Sequence, residues 1–256
     1  MEGNKRYHFV LVHGLSHGAW CWYKTIDLLE KAGHKATAID LAACGLHPAD
    51  LTRITSFKQY NQPLIDVLAS LEPSEKVILV GHSMGGVSLI DAAGRFPNKI
   101  AVAVYVSAMM LFGGFRISEY LQMLEDDAKI TTEMVYGEDP ENPLVGMKFI
   151  DDLVPKHLYN LCPSQDIVLS GLLRRPFPSC CLKAEIKHSV EVIESVPRVF
   201  VKLEKDNAIL VSIQDAMIRK HPPAQVLSLI TDHSPFFSSP KELNDLLLQI
   251  AETYNS

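Results

Sequence analysis

The chain has 256 residues, 47% hydrophobic and 21% charged, the size and balance of one soluble domain with a sizeable core. A formal net charge of −6 with no offsetting basic cluster excludes a nucleic-acid surface, and no apolar run reaches the length of a membrane span. The polar start Met1-Glu2-Gly3-Asn4-Lys5-Arg6 has no signal-peptide core, so a cytoplasmic protein without membrane partners is expected.

Taken in order, His8-Phe9-Val10-Leu11-Val12 is an apolar run that reads as a buried strand. Residues 20–32 carry Trp22, Ile26 and Leu29 at helical spacing and stop at Gly33, a common helix terminator. A second strand is expected over 35–41. An amphipathic helix follows over 57–71, where Pro63 predicts an early kink or second start. Lys76-Val77-Ile78-Leu79-Val80 reads as a buried strand and Gly86 onward as a helix; Ile100 to Ser107 is again apolar enough for burial on both faces. From Met109 to about Val190 prolines and glycines break short helical patterns and strand signals nearly vanish. That stretch reads as a helical insertion. Strands over 198–203 and 224–230, with helices over 215–221 and 240–254, complete the pattern. Strands alternating with helices predict a mostly parallel, doubly wound α/β sheet. The expected organisation is a core of 1–108 and 191–256 with a cap over 109–190, in one domain.

Between the third strand and its helix stands Gly81-His82-Ser83-Met84-Gly85. Strand, sharp turn with serine at its apex, and helix make the nucleophile elbow of the α/β-hydrolase fold. A serine hydroxyl needs a base, and the base needs a partner to fix its tautomer. In an open α/β sheet such groups collect at the carboxyl ends of strands. Asp206 follows the strand over 198–203, and His233 follows the strand over 224–230. The order Ser83, Asp206, His233 is the one this fold uses. Glu204 lies closer to its strand, and Asp232, adjacent to His233, should diverge from it. His8, His34 and His221 read as surface or packing residues, His82 should pack beside the elbow, and His188 falls in the insertion. Two N–H donors are needed for an oxyanion. Met84 supplies one, and Leu15, in the glycine-flanked loop His13-Gly14-Leu15-Ser16-His17-Gly18, is the natural second. That loop lacks a phosphate-binding glycine spacing and its lysine. His13, His17 and His233 have no carboxylate at metal-ligand spacing. No metal and no cofactor are therefore expected. His17, Met109, Met110, Leu111 and Phe112 are candidate lining for a substrate pocket.

The five cysteines, Cys21, Cys44, Cys162, Cys180 and Cys181, show no C-x-x-C or zinc-finger spacing and read as reduced thiols. Cys44 sits in a loop expected to face the site, although a small buried residue is the plainer reading.

The opening His8–Gly14, then His17-Gly18-Ala19-Trp20-Cys21-Trp22-Tyr23-Lys24, the run Ala32–Ala43 and the run Glu75–Ser83 resemble the plant methylesterase and hydroxynitrile lyase family over nearly the whole chain. The resemblance implies a serine esterase acting on a methyl ester of a plant small molecule, a hormone or an alkaloid, where a freed β-carbonyl acid can lose carbon dioxide. The lyase branch has threonine, glutamate and lysine where this chain has Gly14, His82 and Ser234. Ester hydrolysis is therefore expected over cyanohydrin cleavage. A non-catalytic small-molecule receptor is the rival from another class, and the intact Ser83, Asp206 and His233 argue against it. The expected partner is the ester itself, with a homodimer left open. Ser234-Pro235 after the histidine, Met109–Gly114, and Arg174–Cys181 depart from the esterase pattern. All three should border the acyl pocket, so they predict a specialised or bulky substrate.

Overall fold

A computed structural model describes residues 5–110, 132–141, 143–185 and 187–254. Its centre is a six-stranded sheet, entirely parallel, in the order β2-β1-β3-β4-β8-β9. The strands are β1 (His8–Val12), β2 (Lys35–Ile39), β3 (Val77–His82), β4 (Ile100–Val106), β8 (Arg198–Leu203) and β9 (Gln225–Leu229). Every residue of β1, β3 and β4 is buried, which is why their sequences are continuous apolar runs rather than alternating ones. The two outermost strands, β2 and β9, carry exposed residues.

Helices α1 (Tyr23–Lys31), α2 (Phe57–Ser70) and α3 (Gly85–Arg95) follow the first three strands. The expected helix over 20–32 is a 3-10 turn, Ala19–Trp22, continued by α1. The expected break at Pro63 does not occur, and α2 runs through it as one helix. Ser56 Oγ caps α2 by accepting from Gln59 N–H at 3.3 Å, satisfying one of the donors a helix start leaves open.

After β4 come β5 (Thr132–Tyr136), β6 (Leu144–Phe149), α4 (Val154–His157), α5 (Ser164–Leu173), β7 (Phe177–Pro178) and α6 (Val190–Glu194). The short helices match the expected character of this stretch. The antiparallel sheet β5-β6-β7 was not legible in it, because Pro140, Pro143 and Pro178 read as breakers. The chain ends with α7 (Val211–Lys220), α8 (Pro235–Ser238) and α9 (Pro240–Tyr254). Helix α1 packs on α9, and α3 packs on α2 and α6, which gives the sheet its cover of helices. Among the described residues no helix is long and apolar enough to cross a membrane.

The strand order positions the site. From β1 the chain first steps outward to β2, then returns past β1 to β3. The loops leaving the carboxyl ends of β1 and β3 therefore diverge, and the crevice between them is where open α/β sheets bind ligands.

Candidate active site

Ser83 follows β3 directly with φ of 52°, a left-handed conformation that costs a non-glycine residue on the order of 1 kcal/mol or more. Neighbouring hydrogen bonds hold it there. Its N–H donates to the Val106 carbonyl at 3.3 Å, and its carbonyl accepts from Gly86 N–H at 3.1 Å and Met109 N–H at 2.9 Å. Gly85 is required by space, since a Cβ there would lie 2.6 Å from the His13 carbonyl oxygen. The β1 loop fits the elbow as closely: a Cβ on Gly14 would lie 2.9 Å from Ser83 Cβ. That brings Leu15 beside the start of α3. Among the described residues neither Leu15 N–H nor Met84 N–H has an acceptor in the chain.

His233 sits in the loop after β9 and is 3% exposed. Its Nδ1–H donates to Asp206 Oδ2 at 2.8 Å. Asp206 is equally buried, and its carboxylate is fully engaged. Oδ1 accepts from Ala208 N–H at 2.7 Å and Ile209 N–H at 2.8 Å, and Oδ2 also accepts from Ser107 Oγ–H at 2.7 Å. Four donors on its two oxygens fix the carboxylate in place. Glu204, the weighed alternative, is exposed. Asp232 serves another purpose: it accepts from Leu161 N–H at 2.7 Å, Ser238 Oγ–H at 2.6 Å and Ser234 N–H at 3.1 Å. It thereby fastens the His233 loop to the segment between α4 and α5.

A layer of neutral histidines backs the site. His82 Nε2–H donates to the His233 carbonyl at 2.6 Å, with the two rings 4.5 Å apart. Burial, and next the His233 charge, hold His82 well below the usual histidine range. His17 is 2% exposed; its Nδ1–H donates to the Leu15 carbonyl at 2.8 Å, and its Nε2 accepts from Tyr159 O–H at 2.6 Å. Burial lowers its pKa to about 3. It stacks on Trp20 at 5.4 Å. His13 Nδ1–H donates to the Gly14 carbonyl at 2.8 Å while its Nε2 accepts from Leu41 N–H at 3.2 Å, tying the β1 loop to the end of β2.

Met109 and Met110 are buried, and Leu111 and Phe112 lie outside the described residues. Cys44 is buried beside Tyr60, with burial pushing its thiol up to about 12. All five cysteines are free. Sequence reasoning missed Ser107 and Tyr159. A serine at the carboxyl end of the buried β4 was the available signal for the first; nothing local distinguishes Tyr159.

Residues 9–246 match the alpha/beta hydrolase family. Methylesterase 17 of Arabidopsis thaliana is 42% identical over 97% of this chain and 93% of its own length. Methyl jasmonate esterase 1 of Vitis vinifera is 40% identical over the full length of both. The crystal structure of polyneuridine aldehyde esterase superposes with a TM-score of 0.90 at 36% identity, covering 96% of this chain and all of the other. The chain belongs to the α/β-hydrolase family and, within it, to the plant methylesterases, which are carboxylic ester hydrolases.

Proposed function

We propose that Ser83, His233 and Asp206 form the catalytic triad of a serine esterase that hydrolyses a methyl ester of a plant hormone or specialised metabolite, including alkaloid esters. The observation that carries this reading is the buried His233 Nδ1–Asp206 Oδ2 bond at 2.8 Å, which dedicates Nδ1 to the acid and leaves Nε2 for a proton from Ser83. Ser83 Oγ attacks the ester carbonyl as His233 takes its proton. The charge on the carbonyl oxygen falls to the N–H groups of Leu15 and Met84, whose lack of acceptors in the chain suits that task. The tetrahedral intermediate collapses as His233 returns the proton to the leaving methoxide, and methanol departs. Water then attacks the acyl-enzyme with His233 again as base, releasing the acid and free Ser83. An acid with a β-carbonyl group can lose carbon dioxide afterwards. The free thiols support a reducing compartment, in keeping with a cytoplasmic protein.

Methanol release, with mass detection of the acid, across methyl esters of plant hormones and alkaloids tests this reading. Ser83→Ala is expected to lose about 10³-fold or more in kcat. Full turnover in the variant would favour a lyase-type route without an acyl-enzyme, and tight binding with no turnover of any ester would favour a receptor.

A further inference from the structure

One cavity combines charge, an orphaned hydroxyl and proximity to the reacting centre. It has a volume of about 330 Å³ and lies between the β1 loop and the inserted segment, lined by Ser16, Lys148, Phe149, Asp151, Arg174 and Arg175 among others. The cations on this wall are differently placed. Lys148 pairs with Glu133 at 2.8 Å, and Arg174 Nη2 pairs with Asp151 Oδ1 at 2.6 Å. Arg175 has no carboxylate in ion-pair range among the described residues. Its guanidinium donates instead to the carbonyls of His47 at 2.8 Å, Gly45 at 3.3 Å and Ala49 at 3.4 Å. Carbonyls satisfy its hydrogen bonds but leave its charge unbalanced, which is costly for a half-buried cation.

Ser16 supplies the second observation. It is 1% exposed, sits at φ of 61°, and its Oγ is buried with no hydrogen-bond partner among the described residues. Buried hydroxyls are normally paired, so an orphan beside a cavity calls for a ligand atom. Arg175 N–H donates to the Ser16 carbonyl at 3.2 Å, which locks the two residues together. Ser16 follows Leu15, the proposed oxyanion donor, and Gly14 of the same loop lies against Ser83, so the cavity borders the loop that serves the reacting centre.

We propose that this cavity is an anion subsite that receives a free carboxylate on the acyl part of the substrate, so that the enzyme favours monomethyl esters of dicarboxylic acids. Arg175 supplies the unbalanced positive charge, Arg174, whose partner Asp151 is largely exposed, reinforces it, and Ser16 Oγ–H donates to one of the carboxylate oxygens. The proposal rests on the serine-esterase reading above and adds to it a requirement on the acid half.

Matched esters test it. Monomethyl suberate carries a distal carboxylate that methyl octanoate lacks. At low salt the wild-type kcat/KM ratio of the acid ester to the neutral one is expected to exceed one, and to fall as salt is raised. In Arg174→Gln that ratio should drop about tenfold, and in Arg174→Glu further still. Lys148→Glu, a change at a side chain that is 43% exposed, is a second variant should the Arg174 changes fail to fold, and it should lower the same ratio. A ratio at or below one in the wild type, or one unmoved by all the variants, overturns the subsite while leaving the esterase reading intact. Should neither ester turn over, the esterase reading is judged by the panel of plant esters above, and the cavity by calorimetry with suberate alone. Binding weakened in Arg174→Glu supports the subsite, and no binding overturns it.

Discussion

Asp206 Oδ2 accepts two hydrogen bonds, from His233 Nδ1–H and from Ser107 Oγ–H, and this sharing has a consequence for the base. Each donor draws on the same negative charge. Without the serine hydroxyl, Oδ2 carries more of it and stabilises a protonated His233 more strongly. The acid limb of the kcat/KM profile should then move to higher pH in Ser107→Ala. A merely structural contact would lower stability without moving that limb. Ser107 is fully buried at φ of 38°, so the variant also loses a hydrogen bond to a charged group, about 1.5–3 kcal/mol by the usual scale. Denaturant unfolding measures that loss, and Ser107→Thr, which keeps the hydroxyl, should restore the position of the limb. An unmoved acid limb in Ser107→Ala would remove the serine from the acid's electrostatics and leave it a packing residue.

At the level of elements, the elbow depends on how tightly α3 enters against its neighbours. A Cβ on Gly86 would lie 2.1 Å from the Met109 carbonyl oxygen and 2.8 Å from its carbonyl carbon. Both are backbone atoms, and Met109 N–H is itself bonded to the Ser83 carbonyl, so the clash cannot relax by a rotamer change. Gly86→Ala should cost about 1–3 kcal/mol and lower Tm accordingly. By pulling on Ser83 it should reduce kcat more than it raises KM. A variant with unchanged Tm would mean that the 109–110 turn yields easily. The elbow, its strand and the two loops bearing Asp206 and His233 were legible because their chemistry is local: buried parallel strands read as apolar runs, and polar residues just after them stand at the sheet's carboxyl edge. What escaped notice depends on tertiary partners. The strand β5, Thr132–Tyr136, is mostly exposed and has no periodicity of its own, so its pairing with β6 cannot be read from either segment. Likewise Ser107 gains its role only when β8 lies beside β4, and Tyr159 only when the segment after α4 folds back onto His17. The run Arg174-Arg175 drew attention as a departure from pattern, yet its use of three loop carbonyls required the fold.

For the whole molecule, the buried histidines set a limit on acid tolerance. His13, His17 and His82 are each 0–2% exposed, and burial is the first cause lowering the pKa of each, His17 to about 3. Unfolded, each would titrate near 6.5. A pKa depressed in the folded state means that below pH 6.5 the unfolded chain binds protons the folded chain refuses. Stability is therefore unaffected by these groups above pH 6.5 and falls as pH drops below it, down to the folded values. Between its folded and unfolded values each such group contributes about 1.4 kcal/mol per pH unit, and for His17 that interval reaches from 6.5 to about 3. Glu75, lowered first by its hydrogen bond to His8, adds to the loss at still lower pH, since a depressed carboxyl also binds its proton preferentially in the unfolded chain. Against a domain stability of about 5–15 kcal/mol, the loss from His17 alone over that interval is a substantial fraction. Urea unfolding at pH 7, 6 and 5 should show a plateau giving way to a steep decline, and His17→Gln, which removes one titrating ring, should flatten that decline by about 1.4 kcal/mol per pH unit. Constant stability between pH 7 and 5 would require that these rings accept protons in the folded protein, which their fixed bonds oppose: Leu41 N–H on His13 Nε2 and Tyr159 O–H on His17 Nε2 both occupy the nitrogen lone pair where the proton would have to go.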